Sequence, residues 1–251
     1  MKPLYLKILL LAAIVFIATQ GCFAQTNSDA KELYELRTYT MKTGGNTGKL
    51  AAYLQEVLTP TLKRKGIRHT ALFKELGNSD PTKLWFLIAY PDADTYVTAQ
   101  ELHKDEQYLK DAAAYNAMKI DEKLYDRIES MLLLAFDGLA KMDAIKSDSG
   151  LFELRTYESY SEDANRRKIK MFNVEELDLF YEVGLHPVFF GDQISGANRP
   201  CLTYMIQFKD MKEHDENWQK FIKSPKWTKM AAKAEYANTA TTIHKIFLTP
   251  Y

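Results

Sequence analysis

The sequence predicts an α+β fold of two tandem βαββαβ units packed sheet to sheet within one chain. Three observations carry that reading. "LYELRTYTM" at Leu33–Met41 returns as "LFELRTYES" at 151–159, with six of the first seven residues identical and Tyr34 exchanged for Phe152. The same offset of 118 pairs Gly66 with Gly184 and "LWFLIAYPD" with "LTYMIQFKD", then slips to 119 at Tyr108 and Trp227. Agreement sustained in this way marks duplication of one supersecondary unit. Finally, Leu84, Trp85, Phe86, Leu87 and Ile88 are consecutive apolar residues, so this strand has both faces covered. A βαββαβ unit places its helices on one face of an antiparallel sheet. The sister sheet is the obvious cover for the other.

Each element follows in order. First strands at 34–41 and 152–158 alternate with period two. Helices at 47–65 and 163–183 come next, the second with Ile169, Phe172, Leu177, Phe180 and Tyr181 at helical spacing. Ser159 and Glu162 have the spacing of a capping box. Gly66 and Gly184 stand where a helix C-cap wants positive φ, and Pro60 predicts a kink or break. Second strands at 69–76 and 187–194 lead through "GNSDPTK" and "SGANRP" to third strands at 84–90 and 201–208. Split helices follow, with Asp105 as a cap in one copy and Ser224-Pro225 as cap and first turn in the other. Fourth strands fall at 130–136 and 242–248. The expected organisation is a signal peptide at 1–24, a tail at 25–32, a first repeat at 33–137, a linker at 138–150 and a second repeat at 151–251.

The 251 residues carry 33 basic and 33 acidic side chains, so no strong field favours nucleic acid. Lys2 and Lys7 flank the start of an apolar run at 8–18, the layout of an export signal and too short for a comfortable span. Cleavage after Ala24 leaves a periplasmic or secreted protein. Processing at Gly21-Cys22 instead leaves a membrane-anchored lipoprotein with its lipid on Cys22. Cys201 has no partner except Cys22, so no disulfide framework is expected. Homo-oligomerisation stays open.

Alternation on the first strand puts Tyr34, Leu36 and Thr38 on one face and Glu35, Arg37 and Tyr39 on the other. Phe152, Leu154 and Thr156 oppose Glu153, Arg155 and Tyr157 in the second copy. The apolar set is assigned to the helix-covered core and the polar set to the barrel interior. Glu and Arg at i and i+2 share a face with Cα atoms about 7 Å apart, so the charges should pair. One reading is a buried ion-pair network that fixes sheet registry. The other is a pocket in which Arg37 or Arg155 binds a carboxylate or enolate, with Glu35, Glu153, Trp85 and Tyr204 in the lining and Tyr39 or Tyr157 positioning it.

Five histidines and two cysteines occupy no metal-type spacing, so no metal is expected. His69 and His186 both fall just past the first helix of their repeat, as ordinary loop residues or as a general base or haem ligand. Cys201 reads as a small buried hydrophobe. "GGNTGK" at 44–49 lacks phosphate-loop spacing and reads as a strand-to-helix turn.

"YELRTYT" opening a tandemly repeated βαββαβ unit, together with "GLHPVFFG" and "SPKWTKM", resembles the NIPSNAP family of the dimeric α/β-barrel superfamily. The resemblance implies ferredoxin-like units paired through their sheets, here both from one chain. That superfamily includes cofactor-independent monooxygenases, haem-degrading enzymes and isomerases, so the fold does not select a reaction. The expectation is an exported protein that binds a small organic molecule in a sheet–helix pocket, with cofactor-independent oxidation or isomerisation as its chemistry. The alternatives are a non-catalytic envelope interaction module and a haem protein; otherwise no cofactor is expected.

Overall fold

A computed structural model describes residues 30–77 and 79–251. The expected export segment and Cys22 lie outside the described residues. The first half runs β1 (Leu33–Met41), α1 (47–64), β2 (His69–Glu75), β3 (Lys83–Tyr90), short helices α2 (Ala93–Ala99), α3 (Glu106–Asp111) and α4 (Ala113–Asn116), then β4 (Tyr125–Ala135). The second half repeats it as β5 (Leu151–Glu158), α5 (162–183), β6 (His186–Ser195), β7 (Cys201–Phe208), α6 (Met211–Lys223), α7 (Pro225–Ala231) and β8 (Thr242–Pro250).

The eight strands close into one antiparallel barrel in the order β1-β3-β2-β8-β5-β7-β6-β4. Each half contributes four neighbouring strands. The halves are therefore joined edge to edge by backbone hydrogen bonds, as well as facing each other. Phe73 and Glu75 of β2 pair with Pro250 and Leu248 of β8, and Leu132 to Ala135 of β4 pair with Ser195 to Gly191 of β6. Closure removes most of the unpaired sheet edge that two separate sheets would expose.

The barrel interior corrects the expected assignment of faces. Tyr34 and Leu36 of β1, with Phe152 and Leu154 of β5, point inward into a cluster that also holds Leu87, Val188, Phe189 and Met205. Phe73 meets Phe152 at 4.8 Å between ring centroids, and Tyr34 meets Phe189 at 5.1 Å, so the two halves share this core. Glu35, Arg37, Tyr39 and their counterparts face the helices instead. The reason is the cost of burying charge without donors. The middle of the interior is filled by apolar side chains, whereas on the helix-covered face Glu35 meets the Tyr90 and Ser130 hydroxyls and Glu153 meets the Trp218 indole. Trp85 also points inward, its indole donating to Glu75 at 3.0 Å, and so leaves the set of pocket residues.

Both long helices carry a π turn, at Tyr53–Leu58 and Phe172–Glu176. Pro60 does not break α1; it sits in the first turn of the α-helical segment after the π turn. The second copy has Asp178 at the matching position and the same π turn, so the distortion belongs to the fold rather than to proline. Gly184 ends α5 at φ 84°, as its C-cap position requires. The cap of α5 is Ser161, which accepts from the Ala164 amide; Ser159 donates to the Thr239 carbonyl instead. Asp105 and Ser224 cap α3 and α7 as expected.

The seam between the halves is tight at Gly191, where an added Cβ would lie 2.6 Å from the Cβ of fully buried Leu133. Gly191→Ala should destabilise the protein by about 1–3 kcal/mol through overpacking, read as a lowered urea midpoint with an unchanged m-value.

Candidate functional site

The site grows from the motif shared by β1 and β5. In β5, Arg155 Nε donates to Glu153 Oε1 at 2.8 Å, and Glu153 Oε2 accepts the Trp218 indole N–H at 2.8 Å. The Arg155 guanidinium stacks 3.9 Å from the Trp218 ring centre. Its Nη1 reaches the Tyr157 hydroxyl at 3.2 Å, which in turn lies 2.8 Å from the Tyr204 hydroxyl on β7. Tyr204 is fully buried, and burial holds its pKa well above the ordinary phenol value. It therefore acts as a neutral partner behind Tyr157. His214 on α6 closes the outer side, with Nε2 at 3.3 Å from Glu153 Oε2 and Nδ1 at 2.8 Å from Asp215.

A second buried pair faces the first. Lys168 Nζ donates to Glu176 Oε2 at 2.9 Å and contacts the Met171 sulfur at 3.3 Å. Both side chains are more than nine-tenths buried. Eight residues of α-helix would turn them about 80° apart; the π turn holds one extra residue and brings them to about 20°. Lys168 is ringed by Phe172, Tyr157 and Trp227 at 4.5, 5.6 and 5.9 Å from their ring centres, positions that favour a cation. Burial raises the pKa of Glu176, against the opposing pull of Lys168 and Arg155. These groups line a cavity of about 570 Å³ between the sheet and α5, α6 and α7, with Trp218, Trp227 and Tyr236 as its aromatic walls.

The first copy keeps the strand pair but not the cavity wall. Arg37 binds Glu35 through Nε and Nη2, both at 2.8 Å. Glu35 also accepts from Tyr90 and Ser130 at 2.7 Å each. Burial pushes its pKa up, but the bonds from Arg37, Ser130 and Tyr90 outweigh burial and hold it below the usual carboxylate value. Lys168 and Glu176 are replaced in the repeat frame by Leu50 and Leu58, both buried. Gln100 stands for Trp218 and lies 3.4 Å from Arg37. Tyr39 packs edge-on against Tyr125 at 5.3 Å inside this core. A larger cavity of about 670 Å³ lies elsewhere in this half, beside the turn after β1. Its charged side chains are exposed except for half-buried Lys42, so it lacks the buried converging charges of the second copy.

Of the residues anticipated from sequence, the structure brings together Glu153, Arg155, Tyr157 and, behind them, Tyr204. His69 is exposed at the start of β2, and half-buried His186 starts β6; neither lines the second-copy cavity. Burial and the Lys146 charge lower the pKa of His186. Lys168, Glu176 and His214 were not anticipated. The signal for the first two was present: a charged residue in one copy at each position where the other has leucine. Cys201 is buried, its thiol 3.0 Å from Gln193 Oε1, and burial pushes its pKa up to about 11. "GGNTGK" forms the expected turn, with Asn46 capping α1 through the Lys49 amide.

Residues 152–251 match the family model described as NIPSNAP. Among solved structures the chain is similar to a candidate monooxygenase from Lactobacillus acidophilus, at 12% identity over 87% of this chain and 93% of that one, with a TM-score of 0.58. A candidate monooxygenase from Fusobacterium nucleatum matches at 13% identity over 88% and 93%, with a TM-score of 0.56. A NIPSNAP-like domain protein from Burkholderia xenovorans aligns with 41% of this chain and 87% of its own, at 14% identity and a TM-score of 0.38. No match is found among curated proteins. At these identities the structural likeness establishes the fold alone.

Arg37→Ala should cost about 3–5 kcal/mol, because it strands a buried carboxylate, measured by chemical denaturation at neutral pH. The Glu35 contribution to wild-type stability is present above the ordinary carboxylate pKa. It should fade as pH falls through the depressed native value, giving an acid limb in a pH–stability profile that Glu35→Gln flattens.

Proposed function

We propose that the second repeat, whose residues 152–251 match the NIPSNAP family model, binds a small planar organic acid, as carboxylate or enolate, in its sheet–helix cavity. The observation that carries this reading is the convergence of two buried cations, Arg155 and Lys168, on one aromatic-walled cavity. A volume of about 570 Å³ suits a single small molecule. Arg155 offers a planar fork to an anionic group, and Tyr157 and Trp218 orient it from either side. Cofactor-independent oxidation or isomerisation of the bound acid is the chemistry we assign. Oxidation is the first of these to test, because candidate monooxygenases share the fold, and the Tyr157 hydroxyl, backed by Tyr204, stands beside Arg155. The first repeat serves as the structural twin, its Glu35–Arg37 network holding strand registry.

The strand order within each half, β4-β1-β3-β2 and β8-β5-β7-β6, supports reading each as a ferredoxin-like unit. We further propose export, guided by the basic and apolar residues at the N-terminus, with either a free mature chain or a lipid on Cys22.

Replacing Lys168 and Glu176 together by leucine copies the first repeat. A buried ion pair exchanged for packed apolar residues is often neutral or stabilising by about 1–4 kcal/mol. The double variant should therefore unfold no more easily than wild type while losing at least tenfold in affinity for aromatic carboxylates, measured by calorimetric titration across a panel of such acids. Undiminished affinity in the double variant would remove this cavity as the binding site.

A further inference from the structure

The second-repeat site has a charge balance that constrains its ligand further, on the pocket reading above. Its inner walls hold two cations, Arg155 and Lys168, and two carboxylates, Glu153 and Glu176, with side-chain exposures of 14, 7, 1 and 3%, while Lys245 in the same lining is exposed and screened by water. Each inner cation already has one carboxylate. Seating an additional anion against these inner walls would leave one unbalanced negative charge among largely desolvated groups, which is unfavourable. We propose that the site takes its ligand as a weak acid together with a proton: the anion lies between Arg155 and Lys168, and Glu176 carries the proton.

Glu176 is the residue suited to that role. Glu153 is held by the Arg155 guanidinium and the Trp218 indole, and a proton on it would compete with both donors. Among the described residues, Glu176 has only Lys168 as a hydrogen-bond donor. Burial already pushes its carboxyl towards the neutral form. Once protonated, Glu176 releases Lys168 to the ligand, and the rings of Phe172, Tyr157 and Trp227 hold the ammonium in place through the exchange. The first repeat shows that the fold accepts an uncharged side chain here, since Leu58 occupies the matching position.

The other titratable groups around the cavity are known. Lys168 is on the same helix as Glu176, and neighbouring Glu175 points away to Lys233 and Tyr236. Glu153, Arg155 and Tyr157 of β5, His214 of α6, Lys245 of β8 and Tyr236 share the cavity lining with Glu176, and Tyr204 of β7 lies behind Tyr157 within its field. His214 is the rival proton acceptor, because its Nε2 lies 3.3 Å from Glu153 without a hydrogen-bonded partner. The proton balance is simple. The acid HA enters, A⁻ pairs with Arg155 and Lys168, and the proton resides on Glu176 with no covalent bond to carbon made or broken.

The test is calorimetric titration of the full chain with 2-naphthoate at several pH values between 6 and 8, in phosphate and in Tris, whose ionisation heats differ. The heats should report uptake of about one proton per naphthoate, with affinity falling about tenfold per pH unit on the alkaline side. Neutral 2-naphthamide should bind without proton uptake. Glu176→Gln mimics the protonated state, so it should abolish the uptake and bind naphthoate more tightly than wild type at pH 8. Tight naphthoate binding by wild type without proton uptake overturns the inference and leaves the pocket reading intact. Uptake that persists in Glu176→Gln also overturns it, and its loss in His214→Asn would then assign the proton to His214. Failure of wild type and Glu176→Gln alike to bind either probe removes the pocket reading, and this inference with it.

Discussion

The apolar cluster shared by the two halves inside the barrel is the constraint on which the remaining structure depends. Tyr34, Leu36 and Phe73 from one half interlock with Phe152, Phe189 and Met205 from the other. Neither four-stranded sheet could leave this face in water, because the apolar area involved is the largest favourable term available to it. Packing the sheets together brings β2 beside β8 and β4 beside β6, and the strand edges then join. Once the interior is apolar, the charged residues of β1 and β5 can only turn outward to the helices. The position of the candidate site, between sheet and helix layer, follows from that exclusion.

Both halves carry the same strand motif and differ in their helices. A Glu–Arg pair two residues apart on a strand is half of a site. What stands above it decides its role. In the first half Leu50 and Leu58 fill the helix face, and Tyr90, Ser130 and Gln100 satisfy the pair. The result is a closed network that specifies registry. In the second half Lys168 and Glu176 replace the leucines, and Trp218 and Trp227 frame open space. The buried Lys168–Glu176 pair adds little net stability compared with the leucines of the first half. A buried charge pair that packing does not require is the kind of departure from the most stable core on which the proposed pocket rests.

Both long helices owe their buried faces to their π turns. Each adds one residue to a helix that must lie across a twisted sheet. In the first copy the extra residue sets two leucines on the buried face, and in the second it sets a lysine and a glutamate there. The same backbone device therefore serves packing in one half and charge convergence in the other.

Much of the architecture was legible in the sequence because it rests on local or repeated patterns. The 118-residue offset disclosed the repeated order of elements, period-two alternation disclosed the strands, and Gly184, Asp105 and Ser224 disclosed helix ends through backbone chemistry that is decided within a few residues. The pairing of Glu35 with Arg37 and of Glu153 with Arg155 was equally local, since both members sit on one strand face. Which face that is could not be read, because alternation separates two faces without saying which one meets the sister sheet. Barrel closure, the pocket at Lys168 and Glu176, and the inward turn of Trp85 were decided only by tertiary structure. Each depends on contacts between residues far apart in the chain, where solvent exclusion and donor supply, rather than sequence spacing, choose the outcome.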